Sequence, residues 1–239
     1  MMHLFQPILA GGTFSDRVIA CLGALVCLSL TAALCVYAPH APGLPSIVAP
    51  LGASAVLVFA VPSSPLAQPW SVIGGNAISA AVGVATYHII PAVPLASGIA
   101  VAAAMMIMSL ARCLHPPGGA AALTAVIGAP SVHAMGFWFA LSPVALNSAL
   151  LVAFGIAFHR LSGHAYPHRV ASPAQSQREQ YAGSFAPEDI DAALADMHET
   201  FDIARQDIDQ LLAQAQTHAR QRIAEAAIRT EQPPSNAFR

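Results

Sequence analysis

The sequence predicts an all-α, polytopic membrane helix bundle, and three observations carry that prediction. The 239 residues are 56% hydrophobic and only 9% charged, with a mean hydropathy of +0.59; soluble domains carry about 25% charged residues. Between Arg17 and Arg160 a single Asp, Glu, Lys or Arg occurs, and it is Arg112. Prolines cut this apolar tract into segments, four of them close to the ~20 residues that a bilayer crossing takes. The expected architecture is four full spans and two short, broken or re-entrant helices, followed by a cytoplasmic helical tail.

Residues 1–17 read as a cytoplasmic lead-in, and 18–168 as the transmembrane domain. The uncharged run 18–37 is long enough to cross a membrane; a cleaved signal peptide would have an apolar core of only about 7–15 residues. Residues 38–46 hold three prolines and predict a loop. Residues 47–61 are apolar but interrupted by Pro50 and Gly52, and 62–69 predict a second loop. The next span is 70–90, opened by an interfacial-type Trp70 and carrying Asn76 and His88. After Pro91 and Pro94, residues 95–110 predict a helix that runs into Arg112. Residues 118–128 are short and apolar, and 136–158 predict a long last span that begins Phe137-Trp138-Phe139.

Long, broken, long, then long, broken, long suggests an internal repeat. Pro50-Leu51-Gly52-Ala53-Ser54-Ala55-Val56 resembles Pro117-Gly118-Gly119-Ala120-Ala121-Ala122-Leu123 at an offset of 67 residues. The same offset carries 70–90 onto the last span, whereas the first span maps less well. An odd number of segments per half would invert one half against the other, as in many secondary transporters. Ala-rich apolar sequence also matches itself by chance. Arg17 precedes the first span and Arg160 and Arg169 follow the last, so the positive-inside bias puts both termini in the cytoplasm.

Beyond the spans the composition changes. Residues 169–186 predict a polar linker, and 187–239 an amphipathic helical tail. Pro187-Glu188-Asp189 is a good helix start, and Ile190, Leu194, Met197 and Phe201 recur at helical spacing, as do Ile208, Leu212 and Ala215. The ten positive side chains are all Arg and form no strongly basic face, which excludes a nucleic-acid partner. Cys21, Cys27, Cys35 and Cys113 have no metal-ligand spacing and read as small hydrophobes. His159, His164 and His168 read as a solvated juxtamembrane group rather than a metal site. Paired acids, nucleophile–base pairs and metal clusters are missing from the spans, so the expectation is no enzyme and no cofactor.

The chemistry concentrates at Arg112-Cys113-Leu114-His115-Pro116-Pro117-Gly118-Gly119. Two prolines and two glycines cannot continue a helix, and non-helical backbone at membrane depth is tolerated only in protein or beside water. A helix starting at Pro117 or Gly118 would offer free N–H groups to an anion, and glycine lets a small ligand approach the backbone. Gly52 and Ser54 would form the matching start in the first half. Arg112 adds forked donors suited to a planar oxyanion, and His115 a donor that titrates near neutral pH. Gln68, Asn76 and Asn147 are weaker polar candidates. Each has a plainer alternative: Arg112 at the cytoplasmic helix end binding headgroups, His115 bonding carbonyls freed by the prolines, Gly74, Gly75 and Gly83 as helix-packing positions.

Leu114-His115-Pro116-Pro117-Gly118-Gly119-Ala120 resembles the signature of the HPP family of integral membrane proteins. Pro50-Leu51-Gly52-Ala53-Ser54-Ala55-Val56-Leu57, Pro65-Leu66-Ala67-Gln68-Pro69 and Val72-Ile73-Gly74-Gly75 agree with it, over about residues 15–168. The resemblance implies a bundle usually described as having four transmembrane helices. It also implies nitrite transport, in which plastid and cyanobacterial members are implicated. Many bacterial relatives carry CBS domains; the stretch at Pro187–Leu194 is similar to the connector before them, and ending at Arg239 implies no CBS pair here. The expected function is therefore a small-anion, nitrite-like transporter of the inner membrane. Its substrate site would be Arg112, His115, Pro116, Pro117, Gly118, Gly119, Gly52, Ser54, Gln68 and Asn76. Its partners are the lipid bilayer, a small inorganic anion and a second copy through spans or tail. The alternative is a membrane sensor or scaffold whose tail engages a partner.

Overall fold

The computed structural model describes residues 14–37, 47–168, 187–197 and 202–231. The predicted loop at 38–46, the linker at 169–186 and Phe201 lie outside the described residues. The chain divides into two units, Met1–Arg169 and Val170–Arg239. Among the described residues all regular elements are helical.

The first unit holds α1 (Phe14–Cys35), α2 (Pro50–Ala60), a 3-10 turn (Pro65–Ala67), α3 (Pro69–Ile89), α4 (Val93–Leu110), α5 (Pro116–Ile127), α6 (Pro130–Met135) and α7 (Leu146–Ser162). A π-helical segment, Ala140–Ala145, leads into α7. Four helices are long and apolar enough to cross a membrane: α1, α3, α4 and the joined Ala140–Ser162, with α2 and α5 the two shorter apolar helices.

The prolines place the helix starts. Pro50, Pro69, Pro116 and Pro130 are each the first residue of their helix, and Pro94 is the second of α4. A first-turn N–H has no intrahelical acceptor, so losing it costs nothing there, and the fixed φ suits a helix. Reading prolines as interruptions therefore set the expected starts of α3, α4 and α5 one or two residues late. The last span differs more. Instead of one helix from 136, the chain makes the short α6 and turns at Gly136 (φ 51°). It then breaks again at Ser142 (φ −134°, ψ 115°), next to Pro143. Proline inside a helix removes a donor and clashes one turn back, and that breaks the span here.

Contacts along the helices fix their directions. Cys35, at the end of α1, accepts from Asn147 at the start of α7, and a Cβ on Gly23 would meet Phe59 in α2 and Phe158 in α7. So α1 runs antiparallel to α2 and α7. Gly75 lies against His115 and Gly83 against Ala122, so α3 and α5 run parallel. The α3 and α7 spans are antiparallel: Tyr87 near the end of α3 stacks on His133 ahead of α7 (3.8 Å), and Tyr166 after α7 donates to Ala67 ahead of α3 (2.9 Å). Helix packing follows the same exchange. α1 packs on α2 and on α7, as α4 packs on α5 and on α3, while α2 meets α5 and α3 meets α7. Swapping α1, α2 and α3 with α4, α5 and α7 preserves this pattern with directions reversed, as an inverted repeat requires.

The outer helices show why they sit outermost. In α4 the inward stripe is Ala96, Ala100, Ala104 and Met108, one residue per turn, and the exposed face carries Leu95, Ile99, Met105, Met106 and Ile107. In α1 the stripe is Gly23, Cys27, Thr31 and Cys35, with Leu22, Leu25, Val26, Leu30 and Leu34 outside. Small residues inward allow close approach, and large apolar residues outward suit lipid.

The second unit contains α8 (Pro187–Met197) and α9 (Arg205–Glu231). Arg205 donates to Asp191 of α8 at 2.8 Å and to Asp209 within its own helix, joining the two helices. Ile190 is buried and Leu194 half-buried in α8, while Met197 is exposed.

Candidate functional site

Where the two halves meet, four side chains from different elements form one buried polar network. Ser54 comes from the second turn of α2, Asn76 from the second turn of α3, His115 from the residue before α5 and Ser148 from the first turn of α7. All four are at most 1% exposed. Asn76 lies seven residues past the start of α3, about 10 Å along that span at 1.5 Å per residue.

The geometry fixes the hydrogens. His115 Nδ1 lies 2.8 Å from the Leu66 carbonyl, which can only accept, so Nδ1 carries the proton. In the neutral ring Nε2 then accepts, and Ser54 Oγ, 2.8 Å away, donates to it. Asn76 Nδ2 donates to Ser54 Oγ at 3.0 Å and to Ser148 Oγ at 3.1 Å. The Pro50 carbonyl, 3.3 Å from Ser54 Oγ, is a second acceptor within reach of that hydroxyl.

Two buried atoms of α3 are left over: Asn76 Oδ1 and Ser79 Oγ have no hydrogen-bond partner. Such atoms are uncommon in folded proteins and need a reason. Ser79, also fully buried, lies one turn beyond Asn76 on the same helix face.

Glycine sets the α3–α5 seam beside this network. A Cβ on Gly75 would lie 2.6 Å from His115 Cβ, one on Gly118 2.7 Å from Ser79 Oγ, and one on Gly83 2.3 Å from the Ala122 carbonyl oxygen. Gly118 thus serves helix contact.

The remaining expected site residues are spread out. Arg112 is exposed, two residues past the end of α4, where its φ of 53° puts it in the left-handed region. It lies level with exposed Trp70, whose indole donates to the Ala111 carbonyl at 3.1 Å. A Trp and an Arg side by side at a helix end fit a membrane–water boundary better than the bilayer interior. Gln68 is committed: it donates to the Pro62 and Ser64 carbonyls and accepts from the His168 N–H, tying the turn before α3 to the chain after α7. Gly52 faces the other side of α2, lining an apolar groove of about 360 Å³ with Ala24, Leu28 and Ala32 of α1. Pro116 is exposed, Pro117 buried, and Gly119 faces Val101 of α4.

The starts of α2 and α5 offer fewer N–H groups than the sequence suggests. Pro50, Pro116 and Pro117 have none, and the N–H groups of Leu51, Gly52 and Gly118 are taken by the carbonyls of Val48, Ala49 and His115. The buried side chains are the polar groups gathered here.

Two neighbours support the network. Asn147, next to Ser148, accepts from the Val48 N–H at 3.0 Å and donates to Cys35 Sγ, holding the entrance to α2 as His115 holds that to α5. His159, expected in a solvated segment, is buried against Phe59 and bonded to the Val58 carbonyl at 2.9 Å. Beyond the span, burial pushes the Tyr166 phenol above its usual range. Sequence reasoning missed Ser79 and Ser148. Their signal was spacing: Asn76-x-x-Ser79 on one face, and Ser148 adjacent to a membrane asparagine.

Comparison with known proteins agrees with the helical membrane unit. The model of the HPP transmembrane region matches residues 10–167. Two transmembrane proteins of Dictyostelium discoideum are similar, one 40% identical over 44% of this chain and 38% of its own length, the other 39% identical over 42% and 33%. The matched part thus spans little more than a third of those relatives. No solved structure matches.

Proposed function

We propose, on the premise that this chain belongs to the HPP transmembrane family, that it is a permease for a small inorganic anion, with nitrite its substrate. The observation that carries this reading is the Ser54–Asn76–His115–Ser148 network, with unpartnered Asn76 Oδ1 and Ser79 Oγ, fully buried where the two halves of the bundle meet. Polar groups are expensive in a membrane interior and concentrate along substrate paths. A further support is the placement of the network between two inverted halves, where alternating access works on a fixed site. Catalysis is not part of this reading.

The test is nitrite uptake into proteoliposomes holding the purified protein, against protein-free vesicles, with nitrate and chloride as competitors. Saturable uptake that competitors reduce is the expected result. No protein-dependent flux of any of these anions would sink the permease reading and favour the sensor or scaffold, with α8 and α9 as its partner-binding part.

We also place both ends of the bundle in the cytoplasm, in a cell inner membrane. Asp16 in α1 and His164 after α7 lie 3.9 Å apart, so the two ends share a face. Tyr166 and His168 bring the start of α3 to that face, and Trp70 brings Arg112 with it. Arg17, Arg112 and Arg160, the described arginines of this unit, therefore collect on one side, the side that positive-inside bias makes cytoplasmic. A single cysteine at exposed Ala92, between α3 and α4, is expected to react with a membrane-impermeant maleimide in right-side-out vesicles. Labelling only after permeabilisation would reverse the orientation.

A further inference from the structure

The network has a direction, and that direction depends on one proton. With His115 neutral, each hydrogen bond forces the next. Nδ1–H is spent on Leu66, so Nε2 accepts the Ser54 hydrogen; Ser54 Oγ must then accept from Asn76, and both hydrogens of the Asn76 amide are used on Ser54 and Ser148. What Asn76 leaves without a hydrogen-bond partner is its carbonyl oxygen. That atom repels an anion.

Add a proton to Nε2 and the order reverses. Both ring nitrogens now donate, so Ser54 Oγ accepts from His115 and must send its own hydrogen elsewhere. If the Asn76 amide turns over, Oδ1 accepts the Ser54 and Ser148 hydrogens, and the two amide hydrogens take the place where Oδ1 stood. The Pro50 carbonyl, 3.3 Å from Ser54 Oγ, is a stop for the hydroxyl during the exchange. Asn76 then presents donors, and Ser79 Oγ, one turn on and also without a partner, supplies a further hydroxyl.

Charge makes the same demand. No Asp or Glu occurs between Asp16 and Glu179, so α2, α3, α4, α5 and α7 offer no carboxylate to a charged His115. The other titratable and charged groups on the elements around it do not supply one either. Cys113 is two residues away, and Arg112 is exposed and of like charge. Tyr166 donates to Ala67, His159 is committed to Val58, and on α3 Tyr87 stacks on His133 with His88 exposed beside it. On α1, Cys27 is buried and Cys35 accepts from Asn147. A buried charge needs a counter-charge. Here it has to arrive with the ligand.

We propose that His115 is the proton carrier of this permease: its protonation turns Asn76 from an acceptor into a donor, so that one proton and one monovalent oxyanion bind and cross together. This rests on the permease reading above. The proton comes from the solution that supplies the anion and is released with it, so no net charge moves.

The experiment uses nitrite with the full chain in proteoliposomes. One-to-one linkage predicts that the apparent KM for nitrite falls about tenfold for each unit by which pH is lowered on the loading side, while free His115 stays mostly neutral. Uptake is expected to follow an imposed pH gradient and to ignore a potassium–valinomycin potential, and His115→Gln is expected to remove the pH slope. Because that variant alters a buried bridge, the parent protein is also read directly: its His115 imidazole ¹⁵N signals are expected to change from one protonated nitrogen to two on saturation with nitrite. Saturable uptake with a pH-independent KM, uptake driven by the potential, or a His115 that keeps one proton with nitrite bound would overturn the coupling and leave the permease standing. Absence of saturable nitrite, nitrate or formate flux at every pH would remove both.

Discussion

Gly83→Val is expected to give no monodisperse protein in detergent, while Gly98→Val behaves like the parent. At Gly83 a Cβ would lie 2.3 Å from the Ala122 carbonyl oxygen and 2.8 Å from Ala125 Cβ; at Gly98 it would meet nothing within 4 Å. The obstacle at Gly83 is backbone, so no side-chain rotation relieves it. Helices α3 and α5 would have to part by more than 1 Å on the order of van der Waals contact. Parting them also opens the contacts of Gly75 with His115 and of Gly118 with Ser79, which lie along the same seam. Overpacking commonly costs about 1–3 kcal/mol where side chains can shift, and a backbone clash goes to the top of that range or past it. Native stability is itself only about 5–15 kcal/mol. Size-exclusion profiles and thermal melts of the two variants check this; a Gly83→Val protein with the parent's profile and midpoint would show that the seam is looser than described.

This seam was legible in the sequence through Gly75 and Gly83, which stand at small-residue spacing in an apolar helix, where close packing is the ordinary reason for glycine; Gly74, expected with them, faces the Trp70 ring of its own helix instead. The spans were legible for an equally local reason, since crossing a bilayer takes a fixed length of apolar residues. The broken helices were legible through their prolines, and the repeat through Pro50 and Pro117. Other features depended on partners distant in sequence. The break at Ser142 did not: the adjacent Pro143 signals it locally, and reading 136–158 as one long span passed over that proline. His159 looked solvated because it precedes Arg160 and the histidine-rich stretch, yet Phe59 and the Val58 carbonyl, a hundred residues earlier, bury it. Arg112 drew attention as the lone charge of the tract, whereas its position at the end of α4 beside Trp70 gives it an interfacial setting. Ser148 and Ser79 carried no signal by type alone, since serine is common in membrane helices. Their importance comes from what reaches them, or fails to.

His115→Ala is expected to destabilise the whole bundle rather than one half of it. The ring is fully buried, and its two nitrogens hold Ser54 of α2 and Leu66 of the turn before α3, both in the first half, from a position in the second. Truncation leaves a cavity and two polar groups without their partner. Large-to-small changes at buried rings cost about 3–5 kcal/mol, and each stranded polar group adds to that. The repeat makes the loss asymmetric. At the offset of 67 residues, His115 corresponds to Val48 and Ser54 to Ala121, so the histidine–serine bridge exists once, not twice. On the other side Asn147 does the comparable work through the Val48 N–H and Cys35. Hydrogen exchange is therefore expected to rise in both α2 and α5 of His115→Ala, with Ser54→Ala in the same background adding less than it does alone, because the two side chains share one bond. Independent, additive effects of the two substitutions would mean that the bridge is a contact of proximity and not a joint between halves. If the joint holds, the residue that couples the halves mechanically is the residue proposed to carry the proton. Movement of one half against the other would then be read directly by its hydrogen bonds.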